Sequence, residues 1–422
     1  MLRLDDDDLE LEMEPEPERP ASDGAVHALP GTKQSVVRWL PGETDGHPIV
    51  VAGSWDEGVC NLMLWQVGFE AMEQGDAMEQ DGVVEQNEGM DPVHSLGVGA
   101  EHKGDVLGLA VTGGVDQPYR LYTASGAGGV HCFTVGDITG NSPLTLQWSL
   151  EELSPLATLG VSYADETGKV CAVGDDGMLS WIDGLTGKVT QSVQTGEPAL
   201  CGVCWVRKDG TPLAATVGSR LSLWDERGKS ARPVVEMLPN AETPQHLAAQ
   251  LQCLAADATV RAQPMPYLRS TELSRPLPTL SSSPDTPTQR PPHSCQPPSH
   301  VQVPHQICVG SSEGSVFLWD VRQPKKPPLT KQIHDSDVWG VQLTSDELTG
   351  VRGALTCSSD GTLQYFQLGG GDTDPSGEVK AKLVALELPI NDLHYWVDHK
   401  ASLGYLVCAS DEEKLTFMQI NV

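Results

Sequence analysis

Cys201-Gly202-Val203-Cys204 has the spacing of a redox centre or of half a zinc site. It lies in a predicted strand, where an i, i+3 spacing sends the two sulfurs to opposite faces. No second cysteine pair completes a tetrahedral zinc site. The 12 histidines show neither H-x-x-x-H nor H-E-x-x-H spacing, and no nucleophile elbow occurs. Gly369-Gly370-Gly371 is followed by Asp372, not by Lys-Ser/Thr, so it reads as a flexible turn and not as a phosphate cradle. The sequence therefore predicts a protein that is not an enzyme and holds no cofactor and no metal.

What remains is recognition chemistry. Trp224-Asp225-Glu226-Arg227 and Trp319-Asp320-Val321-Arg322 each place an arginine two residues after a Trp-Asp pair. The guanidinium is a rigid fork that a partner surface can read, or that can pair with a carboxylate close by in the chain. A second group mixes aromatic and charged residues: Trp55 and Asp56, His102 and Asp105, Asp175 and Asp176, Asp335, Asp337 and Trp339, and Asp360. Tryptophan is enriched among the residues that dominate binding energy. Some of this group are expected to pack inside, and Trp339 reads equally well as a core residue of its own strand.

The elements that position these residues follow from a motif that recurs seven times. Its clearest copy is Gly314-Ser315-Val316-Phe317-Leu318-Trp319-Asp320: a tight turn, an alternating strand, then Trp-Asp. Related copies end at Trp65, Phe133, Ile182, Trp224-Asp225, Phe366 and Met418. Repeats of roughly 40–45 residues with this ending are the signature of WD40 β-propellers. A four-stranded blade cannot bury its own two faces, so the blades must form a ring. The predicted fold is all-β, a seven-bladed WD40 β-propeller over residues 25–422. Inner strands are expected at Val36–Trp39, Val106–Ala110, Leu156–Leu159, Leu200–Trp205, Leu251–Leu254, Val338–Val341 and Ile390–Leu393. The C-terminal repeat lacks an outer strand, and Ala25–Leu29 is the candidate to supply it, which removes two exposed sheet edges.

In this family a buried His, Ser/Thr, Asp and Trp brace each blade through hydrogen bonds. His334, Ser358 and Asp360 match three of these members, with Phe366 where the tryptophan would stand. Ser311 and Trp319 match in blade five, where Glu313 replaces the aspartate. With the network incomplete, apolar packing is expected to stabilise most blades. The Trp-Asp-x-Arg pair on consecutive blades resembles the box by which WD40 substrate receptors dock on the adaptor of a cullin-type ubiquitin ligase. The aromatic and acidic group falls on the rim where propellers usually bind peptides or helices.

The chain has 422 residues and a formal net charge of −31. Roughly half of that excess falls in two segments. Residues 1–24, expected to be a disordered acidic tail, hold about ten acids against two bases, and residues 70–92 hold about eight acids and no base. Such a charge repels nucleic acid backbones and anionic membranes, so direct nucleic acid binding is not expected. A basic partner, such as a basic peptide read by the acidic rim, is the complementary case. Residues 68–93 read as a low-complexity insertion. Residues 260–304, with about eleven prolines, read as a loop expansion of blade five, because proline lacks the ladder donor. Ser283-Pro284 and Thr286-Pro287 there suit a proline-directed kinase. No signal peptide and no apolar run of spanning length are found. The ten cysteines are scattered, which suits the reducing cytoplasm or nucleus.

Arg38-Trp39-Leu40-Pro41, then Ala52-Gly53-Ser54-Trp55-Asp56, then Leu64-Trp65 resembles the opening of the small WD40 nucleoporins of the Y-shaped outer-ring complex of the nuclear pore. His102-Lys103-Gly104-Asp105-Val106, Val173-Gly174-Asp175-Asp176-Gly177, Trp319-Asp320-Val321-Arg322-Gln323, Cys357-Ser358-Ser359-Asp360-Gly361 and Leu406-Val407-Cys408 are similar to that family at corresponding places. The resemblance covers roughly residues 35–420 without the insertions. The acidic tail and the proline-rich insertion depart from the family pattern. The resemblance implies a non-enzymatic scaffold subunit, docked on an α-helical nucleoporin and located at the nuclear envelope.

Overall fold

In the computed structural model, the described residues are 26–28, 32–40, 48–55, 61–68, 93–114, 117–136, 143–208, 211–228, 232–238, 251–256, 306–326, 328–345, 352–368, 378–398 and 403–421. The acidic tail, most of both insertions, Asp56, Ser283 and Thr286 lie outside them.

Seven four-stranded antiparallel sheets form the blades of a WD40 β-propeller. Strand β1 (Val26–Ala28) comes first in sequence, but it is the outer strand of the last blade. Blade one is β2 (Gln34–Leu40), β3 (Ile49–Ser54), β4 (Leu62–Val67) and β5 (Val93–Ala100). Blade two is β6 (Val106–Gly114), β7 (Gln117–Ser125), β8 (Val130–Val135) and β9 (Leu144–Leu150). Blade three is β10 (Thr158–Ala164), β11 (Lys169–Gly174), β12 (Met178–Asp183) and β13 (Val189–Gln194). Blade four is β14 (Gly202–Lys208), β15 (Thr211–Val217), β16 (Leu221–Trp224) and β17 (Val235–Met237). Blade five is β18 (Leu251–Ala256), β19 (Gln306–Ser311), β20 (Ser315–Asp320) and β21 (Leu329–Gln332). Blade six is β22 (Val338–Ser345), β23 (Arg352–Ser358), β24 (Thr362–Leu368) and β25 (Glu378–Ala385). Blade seven is β26 (Ile390–Asp398), β27 (Leu403–Ser410), β28 (Leu415–Asn421) and then β1, paired Val26 to Phe417 and Ala28 to Leu415. The N-terminal strand thus fills the gap that the sequence predicts.

Second strands read as unbroken apolar runs because both of their faces are covered; all six residues of β3 are buried. Outer strands alternate, as in β13, and carry polar residues toward solvent. The inner strand of blade three begins later than the sequence suggests, at Thr158, because Leu156 stays exposed in the preceding connection. Cys201 likewise precedes β14 instead of lying within it. The opposite-face argument for Cys201 and Cys204 therefore does not hold. Both are partly buried thiols packed against one apolar cluster, and among the described residues no disulfide joins the cysteines.

Seven apolar clusters make up the core, and each lies between two consecutive blades. Val36 and Leu64 of blade one meet Leu109 and Phe133 of blade two. Trp181 of blade three meets Trp224 of blade four. Trp39 and Trp65 of blade one meet Val407 and Phe417 of blade seven, which closes the ring. Polar bonds fix that last junction. The Trp39 amide donates to His394 Nδ1 at 3.1 Å, its indole donates to the His394 carbonyl at 3.2 Å, and the Val37 amide donates to Asp392 at 3.0 Å. A nitrogen that accepts this bond carries no proton, and burial drives the His394 imidazole down to about 3.

In blades two, three, five and six the turn between second and third strands places a glycine at positive φ, while Glu413 takes such a conformation in blade seven. Gly177 sits at φ +73°, and a Cβ there would lie 1.9 Å from the Glu197 carbonyl oxygen. Gly177→Ala is expected to lower the stability of the chain by about 2 kcal/mol or more, read as a shift in urea midpoint.

The folded His394 value lies below the usual value of 6.5, so between the two the unfolded chain binds the extra proton. Stability is then full above about pH 6.5 and falls as pH drops toward 3. Burial also lowers His131, to about 4, and acts in the same direction. At pH 5 the loss from His394 is about 2 kcal/mol. The urea midpoint is expected to fall between pH 7 and pH 5. His394→Asn, whose amide oxygen can accept the Trp39 bond, should flatten that slope.

Candidate protein-interaction surface

Antiparallel order puts the turns after second strands and the blade-to-blade connections on one rim of the ring. Every residue of the aromatic and acidic group within the described residues lies on that rim or at the start of an inner strand beneath it. Trp55 follows β3, His102 and Asp105 lie between β5 and β6, and Asp175 and Asp176 turn from β11 to β12. Asp335 and Asp337 precede β22, Trp339 is its second residue, and Asp360 lies between β23 and β24.

Six inner strands carry a bulge at this end, skipping Ser35, Leu107, Leu159, Gln252, Trp339 and Asn391 in the pairing. A bulge re-aims its extra residue and increases local twist. Here that residue turns toward the axis: Ser35, Leu107, Leu159, Trp339 and Asn391 all line one axial cavity of about 320 Å³. Trp55 lines it too. The two tryptophans are the functional candidates that the fold brings together. Trp339 is 40% exposed and Trp55 37%, so Trp339 is not the core residue that its strand position allows. Backbone closeness keeps the cavity narrow on one side: a Cβ on Gly160 would lie 3.4 Å from the Gly202 Cα.

Arg38 and Asp392 form an ion pair in the cavity wall, and Asn391 donates to the Gln34 carbonyl and to Asp411, both at 2.8 Å. These wall residues are missing from the sequence-predicted set. For Asn391 and Asp392 the signal that could have found them is their place at the start of a strand, between Ile390 and Leu393.

Several predicted contact residues also make bonds within the fold. His102 is buried, with Nδ1 2.9 Å from the Gly104 carbonyl and Nε2 2.8 Å from Thr123 Oγ1; burial lowers its pKa. Asp360 lies 3.1 Å from His334 Nδ1 and accepts from the Thr362 amide at 2.8 Å and its hydroxyl at 2.7 Å. Burial alone would raise that carboxyl, yet the bonds from His334 and Thr362 outweigh it and hold the carboxyl well below the usual range. Asp175 caps the Ala157 amide at 2.9 Å and Asp176 the Met178 amide at 3.1 Å. Asp335 is exposed, and Asp337 is partly exposed with its carbonyl taken by the Ser359 amide.

The brace in blade six also differs from expectation. His334 Nε2 meets Thr356 Oγ1 at 2.8 Å, while Ser358 accepts from the Asp360 amide at 3.1 Å and so holds the turn. Ser311 in blade five does the same for its turn, donating to the Ser315 carbonyl at 3.1 Å. Blade four keeps a tryptophan brace that the sequence did not reveal, Trp224 Nε1 to Thr216 Oγ1 at 2.9 Å.

The two Trp-Asp-x-Arg motifs lie on the opposite rim, where both arginines pair with their own aspartate. Arg227 donates to Asp225 from Nε at 3.0 Å and Nη2 at 2.8 Å, and Arg322 to Asp320 at 2.9 and 2.6 Å. The Arg227 bonds hold the Asp225 carboxyl below its usual range. Both guanidinium side chains remain more than half exposed.

Among the described residues no group of three or more His, Cys, Asp or Glu could hold a metal ion, and no helix is long and apolar enough to cross a membrane. The WD40 propeller is a generally non-catalytic scaffold class. Thr356→Val would leave His334 Nε2 without its buried partner. It is expected to cost about 1–3 kcal/mol, seen as a lowered urea midpoint.

No family model matches the chain. Nucleoporin Nup43 of Homo sapiens is 23% identical over 347 residues, covering 79% of this chain and 73% of that protein, and Nup43 of Mus musculus matches to the same extent. WD repeat-containing protein 1 of Xenopus tropicalis is 22% identical over 307 residues, 71% of this chain and 46% of that protein. Among solved structures, the WD40 β-propeller domain of Doa1 superposes with a TM-score of 0.56 at 11% identity, covering 95% of this chain and 96% of that one; this shows the fold alone. The chain is a seven-bladed WD40 β-propeller, a scaffold fold suited to protein–protein interaction, and it is similar in sequence to Nup43 and to WD repeat-containing protein 1.

Proposed function

We propose that this chain is a scaffold subunit of the nuclear pore outer ring, docking as a rigid body on an α-helical nucleoporin of the Y-shaped complex and supporting nucleocytoplasmic transport at the nuclear envelope. The observation that carries this reading is the similarity to Nup43, which runs over 79% of the chain and therefore through the blades, not one motif. Two partly exposed tryptophans at the cavity mouth supply anchors of the kind that dominate interface energy. The ligase-receptor reading draws only on Arg227 and Arg322, whose forks are already occupied by Asp225 and Asp320.

The test is affinity purification of the tagged full chain from its native cells, with mass spectrometry of the recovered proteins and fluorescence of the tag. Co-recovery of Y-complex nucleoporins and signal at the nuclear envelope are expected. Arg227→Glu with Arg322→Glu should leave that recovery unchanged. A cullin adaptor recovered in place of nucleoporins, and lost in that double variant, would overturn the reading.

A further inference from the structure

Charge is divided unequally between the two rims. On the rim that bears Trp55 and Trp339, the described bases are Lys33, Lys103, Arg220 and Lys414. Three of them are already spent on rim acids: Lys103 on Glu151 at 2.8 Å, Lys414 on Glu412 at 2.7 Å, and Arg220 on Glu197. Against them the sector of blades five to seven alone presents exposed Glu313, Asp335, Glu387 and Glu413. The other rim carries Arg227, Arg232, Arg322, Lys325 and Lys326 between third and fourth strands.

The acidic sector is also apolar. Leu388, 45% exposed, sits in the connection from blade six to blade seven. Trp339 lies on its blade-six side, and Trp55 on blade one lies beyond blade seven; both tryptophans open onto the axial cavity. The sector is held still. The Leu388 and Glu387 amides donate to Glu412, which Lys414 fixes in turn, and the Asp335 amide donates to Asp360 at 3.2 Å. A rigid surface with apolar anchors and unspent negative charge around them selects its partner's chemistry: apolar side chains to cover the anchors and cations to meet the field.

From this we infer that the rim running from blade five through blades six and seven to blade one is a docking surface for a basic segment carrying apolar anchor residues, with Trp339, Leu388 and Trp55 as the anchor seats and Glu313, Asp335, Glu387 and Glu413 as the acidic charges along it. This rests on the reading of the chain as a docking platform, but it commits to the partner's chemistry and to a sector of the ring.

The test uses the full chain and fluorescent fifteen-residue peptides with leucine or tryptophan at i and i+4. One set has four Lys/Arg residues and a matched set has four Asp/Glu in the same places. Binding of the basic set by fluorescence anisotropy at low salt is expected, weakening at least tenfold in Trp339→Ala and in Asp335→Lys with Glu387→Lys, and weakening as salt rises. Lys325→Glu with Lys326→Glu, on the opposite rim, should leave it unchanged. Thermal melts that match the unaltered chain show that the variants fold. Equal binding of acidic and basic peptides, no binding of either set, or a loss of less than tenfold in the rim variants would overturn the inference. Because no nucleoporin enters this assay, its outcome is separate from the purification: basic peptides bound without nucleoporin recovery would sink the pore reading alone.

Discussion

Each blade has two apolar faces and no means of covering either, so the whole molecule depends on the blades closing into a ring. Among the described residues all seven core clusters straddle a blade boundary, and none lies within one blade. Removing one boundary exposes the faces of two blades. The junction of blades one and seven is the one that the chain does not make by simple continuation. There β1 adds to β28, Trp39 and Phe417 meet edge to face with centroids 5.9 Å apart, and polar bonds join β2 to β26. Apolar contact supplies the free energy of closure, and directional bonds select the register.

The same polar junction shapes the recognition face. Asn391 and Asp392 begin β26, bond to β2 of the neighbouring blade, and line the axial cavity beside Trp55 and Trp339. Closure and cavity are therefore built from one set of residues. The bulges explain how. An inner strand with regular pairing would alternate strictly between its two neighbouring blades; one skipped residue breaks the alternation and leaves a side chain facing the axis.

The parts legible in sequence are those with strong periodicity. Most third strands announce themselves by a turn glycine and an aromatic residue at or beside their end, and second strands by unbroken apolar runs, so the blade number and the role of Val26–Ala28 could be read from them. Fourth strands such as Leu329–Gln332 are half exposed and polar, without a distinctive pattern. The tryptophan pair was legible as residue types on one rim, but Trp339 could not be separated from a core tryptophan without its bulge. His102 shows the reverse error. A histidine before an inner strand looks like a surface group, and only the hydroxyl of Thr123, 21 residues later, reveals it as an internal brace. Choosing Ser358 over Thr356 fails for the same reason, since both hydroxyls stand two residues apart on one strand.

The acids of the rim divide into two kinds, and that division decides what the surface can do. Asp175, Asp176 and Asp360 each commit a carboxylate oxygen to a backbone amide of their own or an adjoining loop. They still carry charge, and they hold the loops in one conformation. Glu313, Asp335, Glu387 and Glu413 stand exposed above loops already ordered in this way. Association with such a face orders few protein groups, and that ordering is a main cost that separates tight from weak interfaces of equal area. The paired arginines on the other rim give the contrary case. Their forks meet carboxylates two residues away, in exposed pairs that solvent and salt screen. A partner there must break those pairs to use the arginines, whereas a partner on the acidic rim finds its anchors and its charges uncommitted.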